Sequence, residues 1–154
     1  MKKICIVLRV YNRIEDIELN LEIIRNTWKK NEYYIIVTCN GKSNDYNLTD
    51  KIYQNADFVL EIDNNLGHLK GSSQLLLESI KLIPDDCKYT ILLEADTWIF
   101  SDNLIDEYVN KLDSQNAIWA TGPKGGCKNR PYNSTFSVSL RRLKAAGKPG
   151  LAHL

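Results

Sequence analysis

Short apolar runs alternating with helix-period segments constrain this 154-residue chain more than any other feature. Lys3 to Val10 (KICIVLRV) is β-branched and almost continuously apolar, the pattern of a strand covered on both faces. Ile14, Ile17, Leu21, Ile24 and Trp28 follow at spacings of three and four with charged residues between them, which predicts an amphipathic helix over 14–30. A second apolar strand is expected at Tyr33 to Cys39, closed by the turn pair Asn40-Gly41. A short helix near 48–54 leads to a third strand, Asp57 to Ile62, and the polar loop Asp63-Asn64-Asn65-Leu66-Gly67. Leu76, Ile80 and Ile83 mark one face of a helix from about Leu69 to Ile83, stopped by Pro84. Tyr89 to Leu93 is a fourth strand running into Glu94-Ala95-Asp96, followed by a helix near Asp102 to Leu112 and a short strand, Ala117 to Thr121.

Strands alternating with helices imply an α/β domain, a mostly parallel sheet flanked by helices and joined by crossovers. The length suits one domain over 1–154, with its regular part at about 3–121. After Gly122 the pattern breaks into a glycine-rich loop, a strand candidate over Ser134 to Leu140, and a tail.

Several classes of function are excluded. A formal net charge of +1 lacks the basic excess of a nucleic-acid binder. No apolar run approaches the 18 residues of a membrane span. Met1-Lys2-Lys3 followed by five apolar residues imitates a signal peptide, but Arg9 interrupts it and no small-residue cleavage site follows. Cys5, Cys39, Cys87 and Cys127 form no C-x-x-C pair, so reduced thiols in a cytoplasmic protein are expected. The sequons at Asn47 and Asn133 are read as chance. The turn after the first strand lacks G-x-G-x-x-G, and Gly122 to Gly126 lacks the Gly-Lys-Ser/Thr of a phosphate-binding loop. Sugar nucleotidyltransferases carry a glycine-rich loop after their first strand, where this chain has Arg9-Val10-Tyr11-Asn12.

In open parallel sheets, ligands bind beyond the carboxyl ends of the strands, where the strand order reverses. Here those ends carry Tyr11-Asn12-Arg13, Asn40-Gly41-Lys42-Ser43, Asp63-Asn64-Asn65 and Glu94-Ala95-Asp96. The sharpest local signal is ILLEADTWI, residues 91–99, an apolar strand that ends in two carboxylates one residue apart. On an extended chain, period two places Glu94 and Asp96 on the same side. Paired carboxylates at a strand end can hold a hard divalent cation and leave positions open for phosphate oxygens.

Four segments together, VLRVYNR, IIVTCNGKS, NNLGHLKGS and LLEADTW, resemble in order and spacing the nucleotide-sugar-binding half of a GT-A glycosyltransferase, closest to the family 2 type. The resemblance covers about residues 3–121. It implies a Rossmann-like GT-A fold, shortened at the C-terminus, that binds a nucleoside-diphosphate sugar (a UDP-sugar is favoured). It also implies transfer of a hexosyl or related group to an acceptor hydroxyl. By the same resemblance, Tyr11, Asn12 and Arg13 would line the nucleobase and ribose pocket, and Asn40 and Gly41 would face the nucleoside. Gly67 and the helix start after it would lie near the diphosphate, where helix N-terminal amides favour anions. Asp96 would ligate Mn2+ or Mg2+, and Glu94 would contact the ribose or sugar. No residue after Asp96 reads as a catalytic base. The alternative is therefore a non-catalytic or partner-dependent nucleotide-sugar-binding module, working as a homo-oligomer or with a partner chain.

Other residues carry structural expectations. His68 is read as a surface or capping residue, His153 as part of the tail, and Trp28 as core. Trp98 and Trp119 are expected to pack near strand ends, Asp85-Asp86 to form a turn, and Asp102 to cap a helix.

Overall fold

The computed structural model describes residues 1–41 and 47–116, together with the backbone at 120–121 and 137–138. The chain runs β1 (Lys3–Val10), α1 (Ile14–Thr27), β2 (Glu32–Asn40), α2 (Asp50–Asn55), β3 (Phe58–Ile62), α3 (His68–Lys81), β4 (Tyr89–Glu94), α4 (Asn103–Ser114), β5 (Ala120–Thr121) and β6 (Ser137–Val138). The α/β class expected from the sequence is the one observed. The sheet order is β3-β2-β1-β4-β6-β5, and β3, β2, β1 and β4 are mutually parallel. The two-residue strands β6 and β5 extend the edge antiparallel to β4. They fall within the two late segments expected to be extended, but cover only two residues of each. His153 and Trp119 lie outside the described residues, as do Lys42, Ser43 and Cys127.

Period-two alternation sorts the central strand between two cores. Ile4, Ile6, Leu8 and Val10 face α1, α2 and α4, where Ile17, Leu21, Ile24, Trp28, Ile52, Ile105, Val109 and Leu112 close the larger cluster. Cys5 and Val7 face the opposite side and pack with Ile36 and Ile83, beside Ile80 and Leu82. Each fully buried aliphatic side chain of this kind contributes about 1.5–3 kcal/mol. Trp28 belongs to the core as expected, 3% exposed, with its indole N–H donating to the Ile99 carbonyl at 2.7 Å.

The face of α3 differs from the sequence expectation. Its buried stripe is Gly71, Leu75 and Ser79, while Leu76 and Ile80 are only half-buried. Two of the three stripe residues are small, which brings the helix close to the sheet, and Ser79 Oγ lies 3.1 Å from Thr38 Oγ1. Asp102 occupies the N-cap position of α4 but does not cap it with its side chain. Its buried carboxylate instead accepts the Lys30 N–H at 2.7 Å and the Tyr33 hydroxyl at 2.9 Å. Asp85-Asp86 forms the expected turn, and Asp86 pairs with Lys3 at 2.6 Å.

Candidate functional site

Chain order moves from β1 outward to β2 and β3, then returns to the other side of β1 at β4. The strand order therefore reverses between β1 and β4, where an open parallel sheet leaves a crevice at its carboxyl edge. A cleft of about 680 Å³ opens there. Arg9 to Arg13 of β1 and its turn form one wall, and Glu94, Ala95 and Asp96 form another. Asn40 of β2 and the Asn65–Leu75 region around the start of α3 complete it.

Seven of the eight residues to which the resemblance gives a role line this cleft: Tyr11, Asn12, Arg13, Asn40, Gly67, Glu94 and Asp96. Gly41 does not. Its backbone has φ +86°, and its N–H donates to the Ile62 carbonyl of β3 at 2.9 Å. His68 stands exposed at the first position of α3 and also lines the cleft. Trp98 departs from the packing expected of it: it is 41% exposed, on the segment just after the acidic pair.

Glu94 and Asp96 reach the cleft by a route other than strand periodicity. β4 ends at Glu94, and Ala95-Asp96 is a turn closed by Thr97 N–H donating to the Glu94 carbonyl at 3.1 Å. Each acid is paired with an arginine. Arg9, directly opposite Glu94 in the β1–β4 register, donates to Glu94 Oε1 through Nη2 and to Ser72 Oγ of α3 through Nη1 at 3.1 Å. Arg13 donates to Asp96 Oδ2 at 2.7 Å and pairs through Nε with Asp16 of α1 at 2.5 Å.

The two pairs differ in burial. Arg13 and Asp96 are 54% and 51% exposed, so breaking their contact costs only about 0–1 kcal/mol. The Arg9 side chain is 14% exposed, so removing its partner would strand a largely buried cation. Asp96 is thus the carboxylate that an incoming cation can recruit cheaply, while Glu94 stays tied to the sheet. Among the described residues no three His, Cys, Asp or Glu side chains converge into a metal cage. A hard divalent cation here would need Asp96, phosphate oxygens of a ligand and water, which is how Mg2+ is commonly held.

The start of α3 has no side-chain cap. Gly67, with φ +86°, is its N-cap and has no side chain to satisfy the first helical amides. The Gly67 N–H is taken by Asn65 Oδ1 at 2.7 Å, which shapes the loop, and Gly71 N–H bonds to the Gly67 carbonyl at 2.7 Å. Asn40, 1% exposed at the end of β2, donates from Nδ2 to the Gly71 carbonyl at 3.1 Å and holds the helix start against the sheet.

Sequence reasoning placed Asn65 at a strand end but gave no role to four contributors to this arrangement: Arg9, Asn20, Gly71 and Ser72. Arg9 is a charge inside an otherwise apolar strand. Asn20 sits on the buried stripe of α1 between Ile17 and Leu21, 1% exposed, and donates from Nδ2 to the Ala95 carbonyl at 2.5 Å. Gly71 is a glycine inside a helix, one turn after Gly67. Each broke a local pattern, and that was the available signal.

No protein-family model matches the chain, and no curated protein matches it. Among solved structures, the chain is similar to the S. aureus glycosyltransferase TarS, at 16% identity and a TM-score of 0.51 over 79% of this chain. The match spans only 21% of the TarS chain. At this identity the likeness concerns the fold: this α/β domain has a glycosyltransferase-like fold.

Proposed function

We propose that this domain binds a nucleoside-diphosphate sugar with a divalent cation in the β1–β4 cleft, for transfer of the sugar to an acceptor hydroxyl. The observation that carries the reading is the convergence in one cleft of Asp96, a carboxylate whose partner among the described residues is a solvent-exposed arginine, with a helix N-terminus at Gly67 that has no side-chain cap. The fold shared with a glycosyltransferase and the segments resembling its family 2 type support it.

In this reading Asp96 exchanges Arg13 for the cation, Mn2+ or Mg2+. When bound, the cation supplies positive charge against the diphosphate as it departs. Arg13, once released by Asp96, stays paired with Asp16 through Nε and can turn its Nη1 toward the anionic ligand. The first amides of α3 donate to diphosphate oxygens, where the helix dipole favours negative charge. Tyr11, half-exposed at the mouth, offers a ring face to the base, and Glu94 accepts from ligand hydroxyls. Calorimetric titration with UDP, GDP and their sugar conjugates, with and without Mn2+, tests the proposal. Metal-requiring binding that disappears in Asp96→Ala supports it. Binding that ignores both changes refutes the metal role, and no binding by folded protein refutes the site.

A second reading, a binding module that works with a partner chain, rests on exposed apolar surface. Leu66, Leu69 and Leu77 stand 55%, 78% and 51% exposed along the outer side of α3, and Phe100 is 69% exposed. Sedimentation showing a monomer at all concentrations would count against self-association.

A further inference from the structure

We propose that Arg9 is the positioning residue of this site: it fixes the Glu94 carboxylate as a hydrogen-bond acceptor for hydroxyl groups of the ligand and so sets the preference for hydroxylated over deoxygenated ligands. The inference deepens the nucleotide-sugar reading and rests on it.

The odd positions of β1 face α3, and Cys5 and Val7 there are fully buried and apolar. Arg9 continues that row into the cleft, with its side chain 14% exposed. Chain physics gives no reason to bury a guanidinium at this point, since an aliphatic residue would pack without desolvation cost. What Arg9 gains is position. It stands directly across the ladder from Glu94, at the last residue of β4. One terminal nitrogen holds Glu94, and the other reaches the Ser72 hydroxyl in the second turn of α3. Three elements are thereby tied together at the point where the strand order reverses.

Glu94 would otherwise be a long side chain, 46% exposed, with its carboxylate spread over several rotamers. Pinned through Oε1, it keeps a charged acceptor pointed into the cleft with lone pairs unused. Ordering such a side chain in advance removes an entropy cost that a ligand hydroxyl would otherwise meet on binding. The Nε of Arg9 is buried and out of a ligand's reach, with no hydrogen-bond partner among the described residues, so Arg9 acts on the ligand only through Glu94. A charged acceptor fixed in advance suits a hydroxyl, which can donate to it.

The test compares paired ligands by calorimetry on the wild-type chain, Arg9→Met, Glu94→Gln and the double variant. One arm uses UDP and GDP against their 2′-deoxy and 3′-deoxy counterparts, which reads the ribose. The other arm uses UDP against UDP-glucose, which reads the sugar. The wild type is expected to discriminate by about 10- to 100-fold in at least one arm, the size of a charge-assisted hydrogen bond. Arg9→Met and Glu94→Gln should each flatten that discrimination, and the double variant should lose no more than either alone. A merely structural Arg9 would weaken all ligands together and leave their ratios intact, which would overturn the proposal. Equal affinity for all paired ligands in the wild type would overturn it too. Absence of any nucleotide binding by the folded wild type would instead remove the parent reading, so the two failures are distinguishable.

Discussion

Gly71→Ala should destabilise the protein, although the same change inside an exposed helix would stabilise it. A Cβ on Gly71 would lie 2.5 Å from Asn65 Oδ1 and 2.9 Å from Asn40 Nδ2, both closer than side chains tolerate. Asn65 is half-buried and can swing away, at the loss of its 2.7 Å bond to the Gly67 N–H, about 0.5–1.5 kcal/mol. Asn40 is buried, and displacing its amide from the Gly71 carbonyl strands polar groups at about 1–3 kcal/mol. Better helix propensity returns about 1 kcal/mol. The net expectation is a loss of about 1–3 kcal/mol. With a urea slope of about 1–3 kcal/mol/M, the unfolding midpoint falls by roughly 1 M. Urea unfolding followed by circular dichroism at constant slope reads this directly. Asn65→Ala in the Gly71→Ala background should recover part of the loss, because it removes the nearer clash. A midpoint that stays put or rises in Gly71→Ala would show that α3 can back off the sheet without cost, and that its docking on Asn40 is not what places the helix start.

Three further outcomes follow from buried polar groups. Asp102→Ala should cost about 1.5–3 kcal/mol in urea unfolding, since it strands the Lys30 N–H and the Tyr33 hydroxyl, and Tyr33→Phe should add little in that background. Asn20→Ala should cost about 1–3 kcal/mol by leaving the Ala95 carbonyl without its buried donor, and should weaken nucleotide binding by loosening the turn that carries Asp96. Burial, reinforced by the charge of Asp86, pushes the Cys87 thiol up to about 11. Its alkylation by iodoacetamide, followed by peptide mass spectrometry, should therefore still be accelerating above pH 9, and a plateau below pH 9 would contradict the burial. Because the folded value is raised, the neutral thiol's contribution to stability is complete below the ordinary thiol range and is lost as pH rises through about 11.

The parts of the molecule governed by pattern were legible in the sequence. β1, β2 and β4 are apolar on both faces because the sheet is covered on both sides, and α1 and α4 show an apolar stripe because one face of each packs on that sheet. Parallel topology then brought the strand ends together, so many of the residues chosen as strand termini, among them Tyr11, Asn40 and Asp96, line one cleft, while Gly41, Asp63 and Asn64 do not. What escaped depends on which partner a side chain meets. Period two placed Glu94 and Asp96 on one side, yet the strand stops at Glu94 and a turn delivers Asp96. Leu76, Ile80 and Ile83 suggested the buried face of α3, and Ile83 is buried, yet close docking put Gly71, Leu75 and Ser79 against the sheet in place of Leu76 and Ile80. Asp102 sits where a cap belongs, but its carboxylate is claimed by Lys30 in the α1–β2 connection and by Tyr33 of β2. Arg9 was hidden because a single cation in an apolar strand reads as an imperfection until its partner across the ladder is known.

The most direct test of the nucleotide site is amide shift mapping by NMR as UDP, GDP or their sugar conjugates are added with Mg2+. Perturbations are expected at Arg9–Arg13, Gly67–Ser72 and Glu94–Asp96, with the outer side of α3 at Leu77 little changed. Perturbations confined to that outer side, or none at the end of β4 while nucleotide is bound, would contradict the nucleotide site.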